Sequence, residues 1–357
     1  MIILFSENES YYREIGLKDL PRITYIFNGM KFYKKKLNFF YKFDLFVCAF
    51  YTMPHNIILS LKFNELKKNT ILCSDGIFEF SNSLNNPMIK KYDLQLFHPI
   101  IQDYFICVGE KERKYFNHNV ETLKFIPYRM LKEKNIIELP HSRKILITTA
   151  NSAYFSNNEF DKLKHILLEI TSNILKEKID FSFRIFDKKI LQFLSSSLDI
   201  EIENDISDNF ENTLSRYSSI ITTPSSISIT SMYHQRSVAI LIYRDVPTYP
   251  QSGWIIPSID VFKDSLEEFI NLDSNRIEMQ NNILKGYLCD NGLTEHLEEI
   301  SNHIKEKKQN DINNYINKNL YNMLNSSFNF NIEWFIRKSY FKIKNLSFIK
   351  KIRIHIK

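Results

Sequence analysis

Asp75 stands at the end of the apolar run 70–74 (TILCS) and directly before Gly76. A run of this type reads as a strand, and a carboxylate at a strand's carboxyl end is held where the loops of an α/β sheet converge. There it can take the proton of an attacking hydroxyl, and the following glycine lets the backbone turn tightly. Asp-Gly is equally a plain turn dipeptide, so residue type alone leaves a structural role open. The second constellation is Thr222-Thr223-Pro224-Ser225-Ser226, where the short strand 219–223 runs into a helix start. Free N–H groups at a helix start, with hydroxyls beside them, bind phosphate without a glycine loop. An ordinary N-cap with proline in the first turn would have the same composition. Arg184 lies within a predicted strand at 181–186 and Lys188 just beyond it, and Arg244 follows another at 237–243. Either arginine could neutralise a phosphate, and Tyr249 or Trp254 further on could stack on a base or sugar ring, although a surface loop would look the same.

The elements that must carry these residues alternate. Strand-like runs at 45–50, 70–74 and 103–108 each precede a loop or helix start, as in an α/β domain with a largely parallel sheet. Residues 125–143, bracketed by Pro127 and Pro140, break the pattern and mark a linker. A second α/β unit follows, with strands at 144–149, 181–186, 219–223 and 237–243. Its clearest helix is 158–176, whose Phe160, Leu163, Ile166, Leu167, Ile170 and Ile174 repeat at helical spacing. The expected division is 1–140, 141–325 and a basic amphipathic segment 326–357. Two such halves present strand ends to a shared cleft, where a ligand is expected.

Composition removes several alternatives. The chain of 357 residues holds 7 glycines, where average usage of about 7% would give about 25. No two are spaced for a dinucleotide fingerprint, a Walker loop or a kinase glycine loop. Cys48, Cys73, Cys107 and Cys289 are scattered, the first three inside apolar runs, and read as reduced thiols. No cysteine or histidine pair has metal-ligand spacing, so no metal and no cofactor is expected. Apolar residues at the start end after five positions, too few for a secretory signal, and no run approaches the length of a membrane span. The cytoplasm is the default compartment.

The formal charge of +6 is uneven. Residues 337–357 hold eight bases and no acid, interleaved with Tyr340, Phe341, Ile343, Leu346, Phe348, Ile349, Ile352, Ile354 and Ile356. That is the pattern of a segment lying on an anionic membrane, and equally of a last helix with a solvated basic face. Nucleic acid is not an expected partner.

The two motifs together resemble the bacterial sialyltransferases and polysialyltransferases of the two-domain type. These pair an acidic-acidic-glycine motif in the first domain with a His-Pro motif and a Ser-Ser or Ser-Thr motif in the second. Asp75-Gly76 with Glu79-Phe80 looks like the first motif and Ser225-Ser226 like the third, in the same order. The resemblance implies a GT-B glycosyltransferase architecture, α/β, with two Rossmann-like domains facing a cleft. It implies Asp75 as general base and Ser225 and Ser226 as ligands of the donor nucleotide, to which the residues themselves add Thr223, Arg184 and Arg244 as further candidate ligands. Two departures stand out. Ser74 occupies the first acidic position, and the sole His-Pro, His98-Pro99, lies in the first half, with Arg184 or Lys188 near the place where a second-domain His-Pro belongs. The expected function is transfer of sialic acid from CMP-sialic acid to a capsule or lipooligosaccharide glycan, without metal, at the inner face of the cytoplasmic membrane. A related transferase using CMP-Kdo, a UDP-sugar or a CDP-alditol, or a binding protein on the same scaffold, remains an alternative.

Overall fold

The computed structural model describes residues 1–302 except 52, 91–94, 119, 152 and 245–249, and beyond them only 332, 335, 336, 339, 340 and 343. The segment 326–357 therefore lies almost wholly outside the described residues, as does Tyr249.

The first sheet has strands β1 (Ile2–Phe5), β2 (Thr24–Ile26), β3 (Leu45–Cys48), β4 (Asn69–Cys73), β5 (Tyr104–Val108) and β6 (Glu121–Phe125). All pair in parallel, in the order β2-β1-β3-β4-β5-β6. The second sheet has β7 (Ile145–Thr148), β8 (Phe181–Arg184), β9 (Ser219–Thr222), β10 (Ser237–Leu241) and β11 (Trp254–Ile256), also all parallel, in the order β11-β10-β9-β7-β8. Each domain thus needs a crossover between successive strands, and these crossovers cover both faces of the sheets.

Burial on both faces explains why the inner strands read as continuous apolar runs. Alternate residues serve alternate cores: Ile3, Val47, Ile71, Cys73, Ile106 and Val108 face one side of the first sheet. Leu4, Phe46, Cys48, Leu72, Phe105 and Cys107 face the other. The three strand cysteines are accordingly buried. In the second sheet, the helix Asn157–Lys176 lays Leu163, Leu167, Ile170 and Ile174 on the core that Ile147, Ile221 and Ala239 supply. Ser156 caps its first turn, accepting from the Glu159 N–H.

The chain does not stay in its half. After β11 the helices Ile259–Ile270 and Ser274–Lys285 lead to the helix Leu293–Asn302, whose Leu293, Leu297 and Ile300 enter the first sheet's core with Leu284 and Tyr287. Thr294 ties this return by donating to Gly16 O and accepting from Lys18 N. Gly109, at the end of β5, has φ +91°, and an added Cβ would stand 2.6 Å from the Tyr287 ring. Glycine is required there both by conformation and by that close approach.

Candidate active site in the interdomain cleft

In an open parallel sheet, ligands sit outside the strands' carboxyl ends where the strand order reverses. The second sheet reverses between β7 and β9. At that point the Ala150 N–H donates to Thr223 Oγ1 at 2.8 Å, joining the two loops. Thr223 is fully buried, whereas Ser225 and Ser226 lie half-buried just beyond it, before the helix Ile227–Tyr233. Ser226 occupies the N-cap position without a side-chain capping bond, and Ser225 Oγ accepts from the Ile227 N–H at a long 3.4 Å.

Across the cleft, Asp75 follows β4 and is partly exposed. Its carboxylate accepts from Arg129 Nη2 at 3.0 Å, and the same nitrogen donates to the Asp75 carbonyl. Gly76 has no positive φ and open space where a Cβ would stand, so the tight turn expected of it is not what shapes the loop. Two other residues do that. Ser74 Oγ donates to Gly76 O at 2.5 Å, and the buried Glu112 accepts from the N–H groups of Phe78 and Val108. Burial pushes the Glu112 carboxyl up to about 8, against the pull of those two donors. Tyr11, from the helix Glu9–Glu14, completes the wall: the Arg129 guanidinium lies 6.0 Å from its ring centre, and its buried hydroxyl has no hydrogen-bond partner among the described residues. Burial and then the charge of Asp75 push that phenol upward.

One chain of contacts joins both motifs. Arg129 lies in the short turn Tyr128–Met130, and Thr230, in the helix that begins after the serine pair, donates its hydroxyl to Met130 O at 2.5 Å. Ile229 and Met232 of that helix pack into the first sheet's core with Met130. The carboxylate loop and the serine loop are therefore held in one arrangement by a path through Arg129 and Thr230.

The two arginines expected at the phosphate are occupied otherwise. Arg184 is buried, and its guanidinium donates to Asp205 O at 2.6 Å, Asp208 O at 2.8 Å and Thr213 Oγ1 at 3.4 Å, holding the loop that follows the Lys188–Leu198 helix. Arg244 pairs with Glu79 of the first domain and, at 3.3 Å, with Glu159 of the second. It also donates to Ala153 O at 2.8 Å, with its guanidinium over the Phe155 and Tyr243 rings. Ser81 Oγ reaches Glu159 from the first domain at 3.2 Å. Burial pushes the Glu79 carboxyl up despite Arg244. Arg244 is thus a latch between the domains with its charge already neutralised. Lys188 is exposed at a helix start. Trp254 is not a stacking platform: it opens β11, 2% exposed, packed on Phe269. His98 stays in the first domain, bonded to Leu96 O and Tyr115.

Beside the cleft, a cavity of about 600 Å³ opens between the first domain's Glu110 and Lys111 and the second domain's Gln251, Glu278 and Asn282. Lys111 Nζ bridges to Gln251 Oε1 at 2.5 Å. Sequence reasoning missed Arg129, Tyr11 and Glu112. Only Arg129 carried a signal, as the first of four Lys and Arg residues in the stretch 125–143 read as linker.

No family model matches the chain, and no curated protein matches it in sequence. Solved structures do. A protein from Listeria monocytogenes, provisionally described as a UDP-N-acetylglucosamine 2-epimerase, matches with TM-score 0.55 at 10% identity, over 87% of this chain and 98% of its own. The UDP-GlcNAc 2-epimerase of Methanocaldococcus jannaschii, solved with UDP-GlcNAc and UDP, matches with TM-score 0.52 at 15% identity, over 85% and 99%. A calicheamicin glycosyltransferase, CalG4, matches with TM-score 0.50 at 10% identity, over 85% and 98%. The chain has the GT-B fold. Two parallel-sheet α/β domains with the return of the helix Leu293–Asn302 to the first domain account for the near-complete coverage of these proteins. At such low identity the likeness concerns the fold and leaves the chemistry to the residues of the cleft.

Proposed function

We propose that the chain is a nucleotide-sugar-dependent glycosyltransferase of surface polysaccharide synthesis, moving sialic acid from CMP-sialic acid to a glycan acceptor. The observation that supports this reading best is the hydrogen-bonded path from Asp75 through Arg129 and Met130 to Thr230, in the helix beginning after Ser225 and Ser226. A base for an acceptor hydroxyl and a set of donors for a leaving phosphate then face one cleft. Asp75 takes the acceptor's proton as its oxygen attacks the donor sugar. The hydroxyls and N–H groups at 223–226 hold the departing nucleotide phosphate. Arg129, which approaches Asp75 from the linker, orients the carboxylate and is the nearest described base to it, while Arg184 and Arg244 support the walls.

A UDP-sugar donor is the second reading, and it rests on the UDP and UDP-GlcNAc named for the structure from M. jannaschii. Incubation with CMP-sialic acid, CMP-Kdo, UDP-GlcNAc and a CDP-alditol, each with and without a glycan acceptor, separates the readings. Acceptor-dependent release of CMP supports the first. Release of UDP supports the second, and conversion of UDP-GlcNAc without acceptor replaces transfer by epimerisation. No turnover of any donor leaves a binding protein on a transferase scaffold.

The reading places the enzyme against the inner face of the cytoplasmic membrane, next to a lipid-linked acceptor. Among the described residues no helix is long and apolar enough to cross a membrane. Ile332, Phe335, Ile336, Tyr340 and Ile343 are exposed, helical and spaced to share one face, which suits an interfacial segment.

A further inference from the structure

Residues 29–43 of the first domain contain five lysines, six aromatic residues and no acid. The segment runs between β2 and β3 as two short 3-10 turns, Gly29–Phe32 and Leu37–Phe40. Its aromatics divide by burial. Tyr33, Phe40 and Phe43 are in the core with Leu4 and Phe46, which anchors the segment to the sheet. Phe32 and Phe39 are half-buried, and Tyr41 is 66% exposed. The backbone is pinned from below by two further lysines: Lys62 Nζ donates to the carbonyls of Tyr33 and Lys35, and Lys68 Nζ to those of Phe40, Tyr41 and Phe43.

The outward lysines are all exposed. Lys31 lies 5.0 Å from the Phe32 ring centre, Lys35 5.7 Å and Lys42 4.4 Å from that of Phe39, and Lys34 5.5 Å from that of Tyr33. Two acids face the patch from neighbouring elements. Asp44 accepts from the Ile2 N–H at 2.7 Å and Glu65 acts on the buried Lys62, and among the described residues neither forms a salt bridge with the outer row. A rigid surface of lysines whose stems lie over half-buried aromatic rings suits a bilayer interface, with ammonium groups at anionic headgroups and rings at the boundary below. The absence of arginine in it argues against a site built for bidentate recognition of individual phosphates. The patch also starts at the cleft: Asn28 N donates to Glu7 O and Met30 N to Ser6 O, at the carboxyl end of β1.

We propose that Lys31, Lys34, Lys35, Lys36 and Lys42, with Tyr41, form a second membrane contact that seats the first domain on an anionic bilayer and brings the cleft mouth to the headgroups. This rests on the membrane association proposed above and adds a site to it. A single weak anchor gives only reversible binding without fixed orientation, and two separated contacts give both.

The test is sedimentation of the full chain with phosphatidylcholine vesicles and with vesicles containing phosphatidylglycerol. The wild type, a patch variant (Lys31→Ser, Lys34→Ser, Lys35→Ser, Lys36→Ser) and a tail variant (Lys338→Ser, Lys342→Ser, Lys344→Ser) are compared, with thermal unfolding as the control for folding. Removing four lysines lowers partition onto anionic vesicles by at least about 100-fold at unchanged thermal midpoint. Tyr41→Ser weakens vesicle binding and leaves retention on a soluble polyanion unchanged. Loss only in the tail variant overturns the patch and leaves the tail reading standing, and loss only in the patch variant does the reverse. A wild type that ignores anionic vesicles overturns both. Retention on a polyanion that the patch variant loses, without vesicle binding, assigns the patch to an anionic polymer and overturns the bilayer.

Discussion

Arg129 Nη2 stands 3.0 Å from the carboxylate of Asp75, and the same nitrogen holds the Asp75 main-chain carbonyl. The guanidinium therefore fixes both the side chain and the backbone of the one carboxylate at the end of β4. Because the Tyr128–Met130 turn is in turn held by Thr230, the position of Asp75 depends on a residue of the second domain.

Asp75→Asn keeps the shape and the Arg129 contact to the carbonyl but removes the base. Transfer should fall by at least about 100-fold in kcat, the lower range for loss of general base catalysis, with nucleotide binding unchanged. Initial rates over a donor series measure this. Equal losses of rate and of nucleotide affinity would mean that Asp75 holds the donor instead.

Arg236 is fully buried and donates to five main-chain carbonyls: Ile137, Glu138, Leu214, Tyr217 and His234. Two of these belong to the linker, so this residue ties it to the second domain. Burial brings its guanidinium down to about 10, still charged at neutral pH. Arg236→Met leaves buried carbonyls without donors and should cost about 3–5 kcal/mol, or roughly 10 °C in thermal midpoint. A loss below a few degrees would show that water or the relaxed linker replaces it.

Glu112 makes a pH prediction. Its carboxyl, near 8 when folded, lies above its ordinary value of 4.5, so the folded state holds a proton that the unfolded chain releases. Stability from this group is greatest below about 4.5, falls as pH rises to about 8, and is flat beyond, with a slope of at most about 1.4 kcal/mol per pH unit. Glu7 and Glu79, also raised by burial, act in the same direction. Glu112→Gln should flatten the curve of denaturation midpoint against pH between 5 and 8. Parallel curves for the two proteins would contradict the assignment.

Much of the fold was legible because its inner strands are buried on both faces and so form unbroken apolar runs. The runs read at 45–50, 70–74, 103–108, 144–149, 181–186, 219–223 and 237–243 correspond to β3, β4, β5, β7, β8, β9 and β10, with β4 displaced by one residue and the others a residue or two shorter. The edge strands β2 and β11 have three residues each, too few to show a period, and β1 was read only as a short apolar start. The helix Leu293–Asn302 shows where its apolar face lies but not which core receives it, and it crosses to the first domain. The site followed the same division. Asp75 and the serine pair were visible because they end strands, whereas the partners of a charge were not. Glu79 and Glu159, far from Arg244 in sequence, neutralise it, and carbonyls of the 205–208 loop occupy Arg184.

We propose that the loop at 223–226 holds a nucleotide opposite Asp75. The most direct measurement is the thermal midpoint of the wild type, Ser225→Ala/Ser226→Ala and Asp75→Asn with CMP, UDP, CDP and GDP, each at about 100 times a plausible Kd. Binding to the folded state alone adds about 2.7 kcal/mol and raises the midpoint by several degrees. CMP is expected to do this for the wild type and Asp75→Asn and to do little for the serine variant. A shift that the serine substitutions leave intact, or none with any nucleotide, would contradict it.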